Sequence, residues 1–344
     1  MKTKHLVTGS SGFLGRKIIL RLINEGKEVV GVDVINDDHP VSGARYVFAD
    51  IRDEFIIEEQ FNDVGTVYHT AALVPLTKAY SDFRSVNEEG SRVVAQLAKK
   101  HGVEKFVHIS SSAVFGKTTD SAISSKTPLR PIEPYGISKL NAEIAVKKEL
   151  FDSDTELIVI RPRTILGTER GGIFDMFFRW VDTGEPIFTI GKGDQRFQFI
   201  NVEDLIDAIF LALEKGVSGD YNVGTDTFGT LNESFRHLIE HADSKSKIRH
   251  LPVKPTILTL SALEKLGLSP LAPWHYKTFH LPFFFDVSPL LDLGWKPKYS
   301  NDAMLAQSFD SFKDWSVKYT KTSSSPHSSK LDSRVLTSFQ KMFR

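Results

Sequence analysis

Apolar residues in the first half of this chain fall into short runs that alternate with longer amphipathic stretches. His5-Leu-Val7 and the runs near 28–33, 45–49, 66–69, 105–110 and 157–160 read as buried strands. Helical spacing marks 13–25, 53–61, 83–101 and 135–150; in the first of these Phe13, Leu14, Ile18 and Leu22 recur on one face. Strands alternating with helices predict a parallel sheet covered by helices on both faces. After Arg161 the pattern loosens, with Gly171-Gly172, Gly191-Lys-Gly193 and many prolines, and no internal repeat appears.

The turn that follows the first strand is Thr8-Gly-Ser-Ser-Gly-Phe-Leu-Gly15. Glycines at 9, 12 and 15 permit a tight turn, close approach to a pyrophosphate, and close packing of helix on strand. The free N–H groups opening the next helix would face the phosphates, which makes Gly9, Ser11, Gly12, Phe13, Leu14 and Gly15 candidate cofactor contacts. The second strand ends in Asp33, 24 residues after Gly9. An acid there accepts hydrogen bonds from ribose hydroxyls and repels a 2′-phosphate, and no Arg or Lys follows closely, so NAD is expected over NADP. The fold these features predict is a Rossmann-like, doubly wound α/β sheet. Residues 1–160 would form the NAD-binding domain, residues 161–318 a smaller substrate-binding region with segments crossing back, and 319–344 a tail.

Tyr135-Gly-Ile-Ser-Lys139 places a tyrosine and a lysine four residues apart, on one face of a helix. A free tyrosine has a pKa of about 10, so a neighbouring cation is needed to make it a useful base at neutral pH.

These motifs resemble the extended short-chain dehydrogenases/reductases, and within them the NAD-dependent epimerase/dehydratase branch, from Lys4 to about Ser308. Asp50-Ile51 resembles the adenine-contacting pair of that family. His69-Thr-Ala-Ala72, with Ala71 and Ala72, resembles its cofactor-lining loop, and Asn87 the residue steadying its central helix. Ser110-Ser-Ser-Ala-Val-Phe-Gly116 resembles the segment carrying its catalytic serine. Alignment on Val114 puts that serine at Ser111, with Ser110 and then Ser112 as further readings. Arg161-Pro162, Tyr221-Asn-Val-Gly224 and Leu293-Gly-Trp-Lys-Pro297 resemble later landmarks. The resemblance implies Tyr135 as acid/base, Ser111 on the substrate oxygen, and Lys139 on the nicotinamide ribose. It also implies a homodimer paired through residues 83–101 and 135–150.

Three departures bear on the substrate. Ser112-Ala113 stands where dehydratases carry Asp-Glu, so no 4,6-dehydratase activity is expected. Phe197 stands where many nucleotide-sugar members place a diphosphate-binding Arg, with Arg196 one residue earlier and therefore on the opposite face of an extended strand. Thr164 replaces the sugar-nucleotide Asn. Arg163 beside it is a candidate phosphate ligand, or else an ion-paired loop residue, and Val74, Ser112, Thr164 and Arg196 complete the substrate candidates. Two enzyme readings stay open: a nucleotide-sugar epimerase, favoured by Gly191-Lys-Gly-Asp194 and Leu293–Pro297, and a hydroxysteroid-type or other secondary-alcohol dehydrogenase. The bulky substrate of the second would suit Phe174, Phe177, Phe178 and Trp180, residues that equally read as helix core. A non-catalytic NAD-binding scaffold is the third.

Composition changes little in this picture. The chain has 344 residues, 41% apolar and 25% charged, with a formal net charge of zero, so nothing argues for nucleic acid. Cysteine is absent, which removes disulfides and thiol chemistry, and no metal site is expected. The longest uncharged run, Val64 to Thr77, has 14 residues and is too short to span a bilayer. With no room for a signal peptide before the first strand, the cytoplasm is the expected location. From Lys318 onward six Lys/Arg face one acid, a net of +5. This Ser-rich segment reads either as a disordered tail or as a short amphipathic helix for a partner or an anionic membrane surface.

Overall fold

The computed structural model describes residues 2–318 apart from 38, 39, 75–81, 120, 171, 172, 267, 268 and 270. The basic segment 319–344 therefore lies outside the described residues. Seven parallel strands form the central sheet: β1 (Lys4–Thr8), β2 (Glu28–Asp33), β3 (Arg45–Phe48), β4 (Val64–His69), β5 (Lys105–Ile109), β6 (Glu156–Pro162) and β10 (Gly219–Val223). Their order across the sheet is β10-β6-β5-β4-β1-β2-β3, all in parallel register. Two short parallel pairs complete the strands: β7 (Thr164–Leu166) with β9 (Phe199–Asn201), and β8 (Ile187–Ile190) with β11 (Ile248–Leu251).

The inner strands are apolar because helices bury both faces, and the two-residue period sorts their side chains to opposite cores. Leu6, Val67 and Phe106 enter one cluster, with Val30, Phe61, Val94, Leu97 and Val146. Val7, Tyr68 and Val107 enter the other, with Ile18 and Leu22. The helices that cover the sheet are α1 (Phe13–Asn24), α2 (Glu54–Glu58), α3 (Ser91–Lys100), α4 (Pro134–Leu150) and α6 (Val202–Lys215). The helical stretch near 83–101 divides: Arg84–Gly90 is π-helical and only then does α3 begin.

The second half adds α5 (Ile173–Thr183), α7 (Leu231–His241), α8 (Val253–Lys265), α9 (Pro273–Thr278), α10 (Ser288–Asp292) and α11 (Asn301–Lys318). It is not separate from the first, since β10 returns to hydrogen-bond with β6 at the sheet edge. Its core is aromatic: Phe174 meets Phe199 edge-on at 5.3 Å, Phe177 lies 5.0 Å from Phe235, and Trp180 meets Phe188 at 5.9 Å. Phe174, Phe177, Phe178 and Trp180 are all buried in helix core, and Phe177 and Trp180 also border a small apolar cavity with Phe188, Phe235 and His275. Among the described residues no helix is long and apolar enough to cross a membrane.

Candidate active site

Strand order reverses around β1, which is flanked by β2 and β4, and the crevice outside the carboxyl ends of such strands is where ligands bind in open α/β sheets. The glycine turn leaves β1 at that point. Gly9 has φ +72, and a Cβ there would meet Ala71 N at 2.6 Å. A Cβ on Gly15 would lie 2.1 Å from Gly9 O, so only glycine lets α1 sit this close to the turn. Gly12 is the N-cap of α1 and brings no side chain to its first turn, leaving that positive end to an anion.

Asp33 ends β2 beside this turn. Its carboxylate accepts from the Ser11 and Ile35 N–H groups, each at 2.9 Å, while burial pushes its pKa up. The Ser11 hydroxyl donates to Ile35 O at 2.9 Å. Arg16 reaches the following loop and is paired with Asp37 at 2.6 Å. Asp50 is held below the usual carboxylate range by its hydrogen bonds to Arg52. Ile51 is buried against Gly90, where a Cβ would come within 2.5 Å of it. Ala71 and Ala72 are half-buried after β4, and Val74 lies just beyond them. His69 is buried neutral, its pKa lowered to about 3 by desolvation, and its ring joins Thr8 at 2.7 Å to Ser91 at 2.8 Å. Asn87, in the π-helical turn, accepts from Leu73 N–H at 2.8 Å and donates to Ser138 at 2.9 Å. It ties the loop after β4 to α4, and π turns recur at functional sites for such local re-aiming.

The catalytic candidates meet at the start of α4. Glu133 is its N-cap, accepting from Tyr135 N–H at 2.9 Å and Gly136 N–H at 2.5 Å, with Pro134 at the first helical position. That cap fixes Tyr135, whose ring lies edge-on to Phe83 at 5.8 Å. Ser111 follows β5 in extended conformation, accepts from Ala113 N–H at 3.1 Å, and lies close enough to the Tyr135 phenol to lower its pKa. Burial pushes that phenol up to about 12, while Ser111 and the charge of Arg170 pull it down. Lys139, one turn further along α4, donates to Ile109 O at 2.6 Å, and burial lowers its pKa to about 8. The local balance on Tyr135 thus runs through Ser111 and Arg170, and Arg170 escaped the sequence reading because nothing in its own segment announces it.

The serines flanking Ser111 are both held from behind. Ser110 donates to Glu143, and Arg161 clamps the same carboxylate at 2.9 and 2.6 Å while reaching Asp220 at 2.6 Å. Ser112 accepts from Arg163 at 3.0 Å. Arg163 is itself buried, donates to Gln198 O at 3.0 Å, and lies 4.1 Å over Phe283 and 4.8 Å over Phe197. Desolvation lowers its pKa to about 9. Its hydrogen bonds therefore brace the serine loop from the core. Arg196 points the other way, as one strand step requires, and sits exposed between Phe228 at 4.6 Å and Phe284 at 4.4 Å. Thr164 is half-buried on β7. Among the described residues no cluster of metal-ligating side chains occurs.

A parallel seven-stranded sheet with a glycine turn at its switch point, and a Ser-Tyr-Lys set beside that turn, defines a dinucleotide-dependent enzyme of the Rossmann class. The profile of the NAD dependent epimerase/dehydratase family matches residues 5–224, and the chain belongs to that family. It is an NAD-dependent enzyme of the epimerase/dehydratase type. An uncharacterized protein of Sinorhizobium fredii, y4nG, is 33% identical over 306 residues, 89% of this chain and 77% of that one. Two solved structures share the fold. UDP-glucose 4-epimerase of Thermotoga maritima, solved with UDP-glucose, matches with TM-score 0.77 and 24% identity over 90% of this chain and 99% of that one. UDP-glucuronic acid 4-epimerase of Bacillus cereus, solved with NAD, matches with TM-score 0.75 and 21% identity over the same shares.

Proposed function

We propose that this protein is a nucleotide-sugar epimerase with Tyr135 as its acid/base, and that the observation carrying this reading is the convergence of Ser111, at the end of β5, and the capped start of α4 on the buried Tyr135 phenol, in a sheet that opens with the glycine turn. The turn from Gly9 to Gly15 and the first N–H groups of α1, at Phe13 and Leu14, would hold the pyrophosphate of NAD. Asp33 would take the adenosine ribose, Asp50-Ile51 the adenine, and Ala71 and Ala72 would line the path. Residues 1–160 would thus serve the cofactor and residues 161–318 mainly the substrate. Bound NAD supplies an acceptor for a substrate hydride and returns it in the second half of the reaction.

Tyr135 would take the proton of the sugar hydroxyl as the carbon is oxidised to a ketone, then give it back once the other face is presented. Ser111 would hydrogen-bond the reacting oxygen as charge develops there. Lys139 would hold the nicotinamide ribose, while the cation that lowers the phenol here is Arg170, not Lys139 as its spacing suggested. Ser112 and Ala113 are both buried, and neither offers an acid to expel water, which favours epimerisation over dehydration. Phe174 and Phe177 pack on Phe199 and Phe235, and the cavity that Phe177 and Trp180 border has none of Ser111, Tyr135 and Lys139 in its lining, which weakens the bulky-alcohol alternative. Of the substrate candidates, Val74 and Thr164 stand half-buried near the site, whereas Ser112 and Arg163 engage one another.

The test is purified protein supplied with UDP-, GDP- and dTDP-sugars. The expected result is interconversion of a sugar pair with NAD retained and no net rise in reduced-cofactor absorbance. A stoichiometric rise with a secondary alcohol would move the protein to the dehydrogenases, and a 4-keto-6-deoxy product to the dehydratases.

A homodimer belongs to the same proposal. Ile137, Ile144 and Phe151 are exposed at seven-residue spacing along α4 and its end, a stripe suited to pairing with a second copy. Sedimentation should give a dimer, and Ile144→Glu should give a monomer that still binds NAD. A monomeric wild type would remove the proposal.

A further inference from the structure

We infer that Arg170 is a further active-site residue whose guanidinium takes an oxyanion, phosphate or carboxylate, held in the cleft between Phe13 and Tyr135. This rests on the reading of the glycine turn and Tyr135 as the cofactor and acid/base sites. The loop from Gly167 to Arg170 joins β7 to the segment before α5, and it is pinned at two points to α11. Gly167 N–H donates to Ser308 Oγ at 3.1 Å, and Glu169 N–H to Ser311 Oγ at 2.9 Å. Between these anchors Glu169 has φ 66, a left-handed conformation that a non-glycine residue adopts at a cost. Such strain persists where surrounding structure demands one particular direction for the chain, and here the next side chain, Arg170, lies over the Phe13 ring.

The loop lies directly against the cofactor turn. A Cβ on Gly167 would meet Phe13 Cζ at 3.3 Å and Val202 Cγ1 at 2.8 Å. Arg170 is half-buried with its Cζ 5.0 Å above the Phe13 ring, and its charge acts on the Tyr135 phenol. Among the described residues no carboxylate pairs with this guanidinium and no oxygen accepts from it. A neighbouring ring face compensates part of the desolvation of a cation, but five N–H donors remain to be satisfied. Arg163 differs: its Nε and Nη1 reach Gln198 and Ser112, deep in the core, and only its buried Nη2 lacks an acceptor among the described residues. Phe13 is the first residue of α1, so Arg170 adds a full charge to the positive pole of that helix. An anionic group is the complement of this arrangement. It can come from the pyrophosphate of the dinucleotide, the diphosphate of a nucleotide sugar, or a carboxylate on the sugar.

The experiment is calorimetric titration of the full chain, wild type against Arg170→Met, with NAD, UDP-glucose and UDP-glucuronate. Methionine keeps an apolar stem over Phe13 and removes the charge. Loss of charge-assisted hydrogen bonds should weaken the affected ligand by about ten- to a hundredfold, and Arg170→Lys should recover part of that loss. Weakening of NAD alone assigns the anion to the dinucleotide, weakening of both UDP-sugars to the diphosphate, and weakening of UDP-glucuronate alone to the sugar carboxylate. Equal affinities of wild type and variant for every ligand the wild type binds would overturn the inference. If the wild type binds neither UDP-sugar, the titration is repeated with the GDP- and dTDP-sugars; binding of none of them fails the nucleotide-sugar reading by itself, and NAD affinity alone then decides Arg170. Should Arg170→Met fail to fold, Arg170→Gln carries the same comparison.

Discussion

Tyr135→Phe should lower turnover by about 10²–10⁴-fold, the range expected when a positioned acid/base is removed, while NAD affinity stays within about twofold of wild type. The asymmetry follows from what the ring and the hydroxyl each do. The ring packs edge-on to Phe83 and follows the Glu133 cap, and phenylalanine preserves both. The hydroxyl is the group whose pKa Ser111 lowers and that would exchange the proton. Burial pushes the phenol up to about 12, well above the range in which it could take a proton at neutral pH. Its use as a base depends on cations drawing that value down, and Arg170 already does so. Steady-state kinetics on the active sugar pair, with NAD titration alongside, measures both quantities. A variant that turned over at close to the wild-type rate would show that the proton passes through another group.

Arg161→Met should destabilise the fold by about 3–5 kcal/mol, because it strands the Glu143 carboxylate in the core. Arg161 and Glu143 are 3% and 1% exposed, so no water replaces the lost partner. The clamp also holds Ser110, one residue before Ser111, so the variant should lose turnover beyond its loss of stability. Replacing both partners, Arg161→Met with Glu143→Leu, should recover most of the stability, since a buried pair exchanged for apolar groups is often neutral. The recovered protein should still lack the Ser110 bond and remain slow. Urea unfolding of the three variants tests the first part and kinetics the second. A loss below about 0.5 kcal/mol in the single variant would mean that the pair holds nothing in place, as for an ordinary surface change.

Much of the site could be read locally. Gly9, Gly12 and Gly15 recur where a turn must be tight, Asp33 closes the next strand, and Tyr135 and Lys139 share a helix face by spacing alone. The face of Arg196, opposite to Phe197, followed from strand geometry. Two features were not legible. That Arg163 lies in the core, bonded to Gln198 and Ser112, is revealed only by the packing. The π-helical turn at Arg84–Gly90 has no signature distinct from an α-helix, because its extra residue is set by what Asn87 must reach.

The amino-acid sequence by itself determined the parallel α/β sheet, the NAD turn, and the serine, tyrosine and lysine candidates, because each depends on residues within a few positions of one another. Only the tertiary structure decided which charges face the cleft and which brace it. Arg170 meets Phe13 across 157 positions of chain, and Arg163 meets Ser112 across 51. Periodicity and spacing carry no information at such separations. There the burial of aromatic surface and the cost of leaving a charge without a partner select the arrangement.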